Sequence, residues 1–175
     1  MLSGAMSGLV VGSGLDDGVN VGPLINEDAV AKVASLVTSS IGDGGKLVLG
    51  GSRLERRGFF YAPTVISDVP RNSGILKEEI FGPVAPIVTF DNDDEAIAMA
   101  NETEFGLVSY VYTRDLARGL RISEALESGM VGLNRGLVSD PAAPFGGVKQ
   151  SGLGREGGHE GLLEFTESKY IATSW

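Results

Sequence analysis

Residues 107–134 read LVSYVYTRDLARGLRISEALESGMVGLN. Leu107–Tyr112 is apolar and β-prone, Asp115–Glu127 fits a helix, and Met130–Asn134 fits a second strand. The same alternation extends upstream. Val84–Phe90 reads as a strand that tolerates Pro86, and Asp91–Asp94 offers caps for a helix running through Ala96, Ile97 and Met99 to Asn101. Nearer the start, Val30, Val33, Ala34, Val37 and Ile41 recur at helical spacing. Asn26 can cap that helix, and Gly42, Gly44 and Gly45 end it. Lys46–Gly50 reads as a short strand. Phe59–Val69 is extended but broken by Pro63, which suits an edge or a surface run. Lys169–Ser174 reads as a last short strand. Strands alternating with helices of about ten residues imply βαβ units, hence an α/β fold with a mainly parallel sheet and helices on its faces.

The 175 residues suffice for about one domain with a real core. There is no cysteine, which excludes a disulfide scaffold, a thiolate metal cluster and a catalytic thiol within this chain. The charge balance of 14 basic against 23 acidic residues, net −9, repels phosphate backbones and argues against nucleic acid as a partner. Glycine is in surplus: 26 of 175 residues, roughly twice the ordinary share. At 42% apolar residues the chain is too hydrophobic for a disordered glycine-rich segment, so the glycines punctuate a folded protein. No apolar run reaches transmembrane length, and the first residues lack the basic start of a signal peptide. A soluble, cytoplasmic protein is the expectation. Met1 leads into Gly12-Ser13-Gly14 with no preceding element to pack on, which reads as the middle of something longer.

Gly152-Leu153-Gly154-Arg155-Glu156-Gly157 is a literal GxGxxG. A dinucleotide fingerprint needs a buried strand before it and a helix, a second strand and an acidic residue after it. Neither Pro144–Ser151 nor the 18 residues beyond Gly157 can supply these, so the match is a decoy. In Lys77-Glu78-Glu79-Ile80-Phe81-Gly82-Pro83, vicinal carboxylates are ordinarily a solvated face. A carboxylate at a strand's approach can also accept both hydroxyls of a ribose with the aromatic packed beside it, and residue chemistry leaves both readings open. His159, the only histidine, has no histidine or cysteine companion, so no metal site is expected. Glu156 beside Arg155 reads as half of a structural ion pair, and Ser139-Asp140-Pro141 as a turn.

Taken together and in order, several stretches resemble the C-terminal part of the aldehyde dehydrogenase superfamily. They are Gly22-Pro23-Leu24-Ile25, Glu78–Pro83, Asn101 with Phe105-Gly106-Leu107, Asn134, and Pro144-Phe145-Gly146-Gly147 with Lys149–Glu156. The resemblance runs from about Val10 onward. Gly136-Leu137-Val138-Ser139 leading into the Pro144–Glu156 block is most similar to succinate-semialdehyde dehydrogenases. The resemblance implies binding of NAD or NADP, with Glu79 on the nicotinamide ribose hydroxyls and Phe81 at the nicotinamide end. It implies Phe145 as an aromatic wall of the aldehyde tunnel and Ser139 as a hydroxyl for the distal carboxylate of succinic semialdehyde. Glu156 corresponds to a second glutamate proposed to relay protons. It further implies a partial catalytic domain over residues 1–160, and an oligomerisation strand within 161–175 that joins a neighbouring subunit's sheet.

The family's nucleophilic cysteine, main general base, oxyanion-hole asparagine, pocket arginines and Rossmann domain are all expected upstream of Met1, and the chain alone is expected to be inactive. Arg135 departs from the pattern, bringing positive charge beside the expected pocket where a small or acidic residue is expected. Two alternatives stand beside this reading: a non-catalytic assembly or binding module that reuses the fold, and a nucleotide-binding protein using the decoy glycines.

Overall fold

A computed structural model describes residues 1–175. The chain separates into two compact units, Met1–Thr89 and Phe90–Trp175. This is a division by packing and differs from the expected division by role at residue 160.

The first unit opens with a short helix α1 (Leu2–Ser7), followed by α2 (Glu27–Gly42). Asn26 caps α2 as its pattern predicts: the side-chain oxygen accepts the Ala29 N–H at 2.8 Å, and Glu27 and Asp28 place negative charge on the first turn. Val30, Val33, Leu36 and Val37 recur on one face and are buried. They pack with Tyr61, Ile66, Val69 and Ile75 into the unit's core. Strands β1 (Lys46–Leu49), β2 (Thr64–Ser67) and β3 (Val84–Pro86) form its sheet, antiparallel between β1 and β2 and parallel between β2 and β3. The strand expected to reach Phe90 runs only to Pro86, with one further pair of bonds beyond it: the Ile87 N–H donates to the Ile66 carbonyl at 2.8 Å and the Val69 N–H to the Ile87 carbonyl at 3.1 Å.

In the second unit, α3 (Asp93–Asn101) follows its Asn92 cap, and β4 (Phe105–Gly106) leads into β5 (Val108–Val111). α4 (Leu116–Ala125) and β6 (Met130–Leu133) complete the βαβ unit read from residues 107–134. Strands β5 and β6 are parallel, from Val108 opposite Met130 to Val111 opposite Leu133. Asp115 caps α4 by accepting the Arg118 N–H at 3.1 Å. β7 (Val148–Lys149) pairs antiparallel with β4, and α5 (Glu160–Leu163) is a single turn.

Two expectations need correction. Three short sheets replace the single, mainly parallel one. Parallel pairing is confined to β2–β3 and β5–β6, and the ladders stop after two to four residues, so no strand knits the pairs together. Lys169–Ser174 is not a strand in this chain: it pairs with none of the chain's strands, and Phe165, Tyr170, Ile171 and Trp175 stay exposed.

The units also differ in how they bury apolar side chains. Every fully buried hydrophobic residue lies between Val30 and Ile75. In the second unit α3 buries nothing completely and α4 only Gly119. An apolar groove of about 420 Å3 lies there, lined by Phe90, Ile97, Tyr110, Tyr112 and Leu126. No helix of the chain is long and apolar enough to cross a membrane.

Candidate functional site

The candidate residues fall into two sets, one in each unit. Glu79 and Phe81 lie in the first, on the loop between the 3-10 turn Gly74–Leu76 and β3. α2 fastens that loop: the Lys32 ammonium donates to the Glu79 carbonyl at 2.7 Å, Ile80 packs against the core, and Gly82 is pressed so close to Val33 that a Cβ would lie 2.7 Å from it. With its backbone pinned at both ends, the loop turns Phe81 outward in a left-handed conformation, φ 48°, rare for an aromatic residue. The residue is 74% exposed. The Glu79 carboxylate is exposed and takes no protein partner, which leaves its lone pairs open to hydroxyl donors.

Ser139, Phe145 and Glu156 come together in the second unit. With Asp140, Pro141 and Gly157 they line an open cleft of about 400 Å3. Two backbone hydrogen bonds hold its walls together: the Phe145 N–H donates to the Glu156 carbonyl at 2.7 Å, and the Glu156 N–H returns to the Phe145 carbonyl at 2.8 Å. Ser139-Asp140-Pro141 begins a turn, as its sequence predicts. The Asp140 carboxylate accepts the Ala142 N–H at 2.9 Å and its carbonyl accepts the Ala143 N–H at 3.0 Å. The Gly158 N–H then donates to the Pro141 carbonyl at 3.0 Å. Gly157, at φ 70°, brings the second wall so near that a Cβ would meet the Ala143 carbonyl at 2.9 Å.

The Arg155–Glu156 ion pair expected from sequence does not form. The Arg155 guanidinium instead donates to the carbonyls of Gly147, Leu153 and Gly154, while its backbone N–H is taken by Glu164. One arginine thereby satisfies the carbonyls of a loop with little regular structure, and Glu156 stays exposed at the cleft. Arg135 likewise turns to a carbonyl, that of Leu137 at 2.6 Å, and does not line the cleft. The GxGxxG stretch follows a two-residue strand and opens no helix that could cradle a pyrophosphate, in keeping with its reading as a decoy. Sequence reasoning missed Asp140 as a cleft residue. Its signal was present, since the same Asp-Pro pair that makes the turn adjoins Ser139.

Comparison with known proteins assigns the class. The aldehyde dehydrogenase family profile matches residues 1–171, and the chain belongs to that family. It is 53% identical over 167 residues to a succinate-semialdehyde dehydrogenase of Paenarthrobacter nicotinovorans, covering 95% of this chain and 37% of that protein. It is 51% identical to the NADP(+) succinate-semialdehyde dehydrogenase GabD of Escherichia coli K12, covering 97% of this chain and 35% of that one. A glutarate-semialdehyde dehydrogenase of Pseudomonas putida KT2440 is 49% identical, with 99% and 36% covered. Among solved structures, an NADP-dependent enzyme of E. coli superposes with a TM-score of 0.94 at 51% identity, covering 97% of this chain and 35% of that chain. An aldehyde dehydrogenase of Mycobacterium tuberculosis complexed with NAD+ gives 0.89 at 41% identity, with 95% and 35% covered. The chain thus spans about a third of the length of these relatives.

Proposed function

We propose that this chain supplies the C-terminal part of the catalytic domain of an NAD(P)+-dependent aldehyde dehydrogenase acting on an aldehyde with a carboxylate at its far end, succinic semialdehyde or a close homologue. The observation that carries the reading is the convergence of Ser139, Phe145 and Glu156 on one cleft, in a chain whose relatives include succinate- and glutarate-semialdehyde dehydrogenases. Residues 1–160 serve the catalytic domain. The exposed tail within 161–175 joins a neighbouring subunit's sheet in a homo-oligomer, and the protein works in the cytoplasm.

The residues present suit the nucleotide. The unpartnered Glu79 carboxylate can accept two ribose hydroxyls at once, and the exposed Phe81 ring offers an apolar face to the nicotinamide end. When bound, the nucleotide takes up hydride from the aldehyde carbon. In the cleft, Ser139 donates a hydrogen bond from its hydroxyl to the distal carboxylate, the Phe145 ring covers the methylene chain and sheds water from it, and the exposed Glu156 carboxylate takes up a proton and hands it on to solvent. Both NAD and NADP occur among the relatives, and Glu79 and Phe81 suit either, because the two cofactors share the nicotinamide ribose.

The chain contains no cysteine, so it forms no thiohemiacetal by itself, and the nucleophile comes from outside these residues. The test is a steady-state NAD(P)H assay with succinic semialdehyde. The 175-residue chain alone should give no turnover, and real turnover from it would overturn the assignment.

A further inference from the structure

The cleft that gathers Ser139, Phe145 and Glu156 holds two carboxylates, Asp140 and Glu156, and no cation among its lining residues. The nearby basic groups are committed elsewhere. Arg155 is spent on the carbonyls of Gly147, Leu153 and Gly154, Arg135 on that of Leu137, and Lys149 on those of Asn101 and Thr103 and on the Glu127 carboxylate. His159 is exposed and outside the lining.

Asp140 is the less expected of the two acids. One of its carboxylate oxygens, accepting the Ala142 N–H at 2.9 Å, makes the turn. An asparagine side chain carries the same acceptor and would make that turn equally well. The negative charge is therefore surplus to the local structure. It adjoins the hydroxyl proposed to receive the distal group of the substrate. Two acidic residues lining one cleft repel a third carboxylate, by an amount that is modest in an exposed cleft and falls as salt is added.

We propose that Asp140 is a specificity-determining residue of this cleft, one that weakens its hold on a negatively charged tail relative to an uncharged tail of the same length. The inference rests on the reading of the cleft as the site of the aldehyde's distal end. Asp140 holds the affinity for the acid-bearing chain below what Ser139 and Phe145 would otherwise give.

The test needs no turnover. The 175-residue chain, uniformly 15N-labelled, is titrated with succinate and separately with succinamide, its uncharged equivalent in length, following the amides of Ser139, Asp140, Phe145, Glu156 and Gly157. In Asp140→Asn, which keeps the turn, succinate should bind about threefold tighter, the effect of one exposed like charge. Succinamide should be unchanged, and the difference between the proteins should close at about 1 M salt, where screening reaches about 3 Å. Equal succinate affinity in the two proteins would overturn the role of Asp140 while leaving the cleft as the tail site. Cleft amides unmoved by either ligand in either protein would overturn the reading of the cleft, and the inference with it.

Discussion

Tyr61 is the largest fully buried side chain of the chain, and its hydroxyl meets no hydrogen-bonding partner in the protein. Burial raises its pKa, so the phenol stays neutral at any working pH. A buried hydroxyl without a partner contributes desolvation and little else. Tyr61→Phe should therefore leave stability within about 1 kcal/mol of the parent or raise it; a loss of more than about 2 kcal/mol in a urea melt would reveal a bond that the packing hides. Asp93 is the opposite case. Hydrogen bonds from Arg118 and then Arg121 hold its pKa at about 2, below the ordinary 3.8. Because the folded value lies below the unfolded one, the contribution to stability is present above about pH 4 and is lost as the pH falls through about 2. Melting temperatures of the parent and Asp93→Asn should differ near neutral pH and converge at about pH 2. Neither residue was singled out in the sequence. Tyr61 looked like one more residue of an extended run, and Asp93 looked like one of several acidic caps. Single side chains were legible only where a short motif fixed them, as Asn26 shows by capping the helix it precedes; Asp115, read as the first residue of its helix, proves to be its cap.

The elements divide the same way. α2, α4 and the β5–α4–β6 unit followed from apolar spacing and caps, because their order is local. The pairing of β7 with β4 was not legible. Those strands are two residues long, more than forty positions apart, and joined by contacts that no periodicity encodes. Lys149 is the fastening. Held at φ 53°, it sends its ammonium to the carbonyls of Asn101 at 2.8 Å and Thr103 at 3.1 Å and to the Glu127 carboxylate. Lys149→Met keeps the length of the stem and removes all three bonds. It should lower stability by about 1–3 kcal/mol and speed amide exchange at Gly106 and Gln150 while leaving α2 unchanged. Unaltered exchange at both amides would show that the β4–β7 pair holds without it. The Pro144–Glu156 block, whose glycines looked like motif punctuation, has a packing reason too. Gly146 lies against the Gly154 carbonyl so closely that any Cβ would overlap it. The surplus of glycine is in part a surplus of backbone-to-backbone contact.

At the scale of the molecule, the α/β class and the family were legible from 175 residues, and the distribution of burial was not. The composition gives one apolar fraction for the whole chain, yet every fully buried hydrophobic side chain belongs to the first unit. Hydrogen exchange should follow that asymmetry, slowest in α2 and β2 and faster across residues 90–175. An apolar dye should bind the chain without denaturant, at the groove of Phe90, Tyr110 and Tyr112. Uniform protection across both units, with no dye bound, would contradict this distribution. The only tryptophan is the last residue and is fully exposed. Its emission is therefore nearly blind to unfolding of the core, and reports instead on the tail. A red-shifted spectrum that moves to the blue as protein concentration rises would record, in a single fluorophore, the moment at which another copy covers the end of the chain.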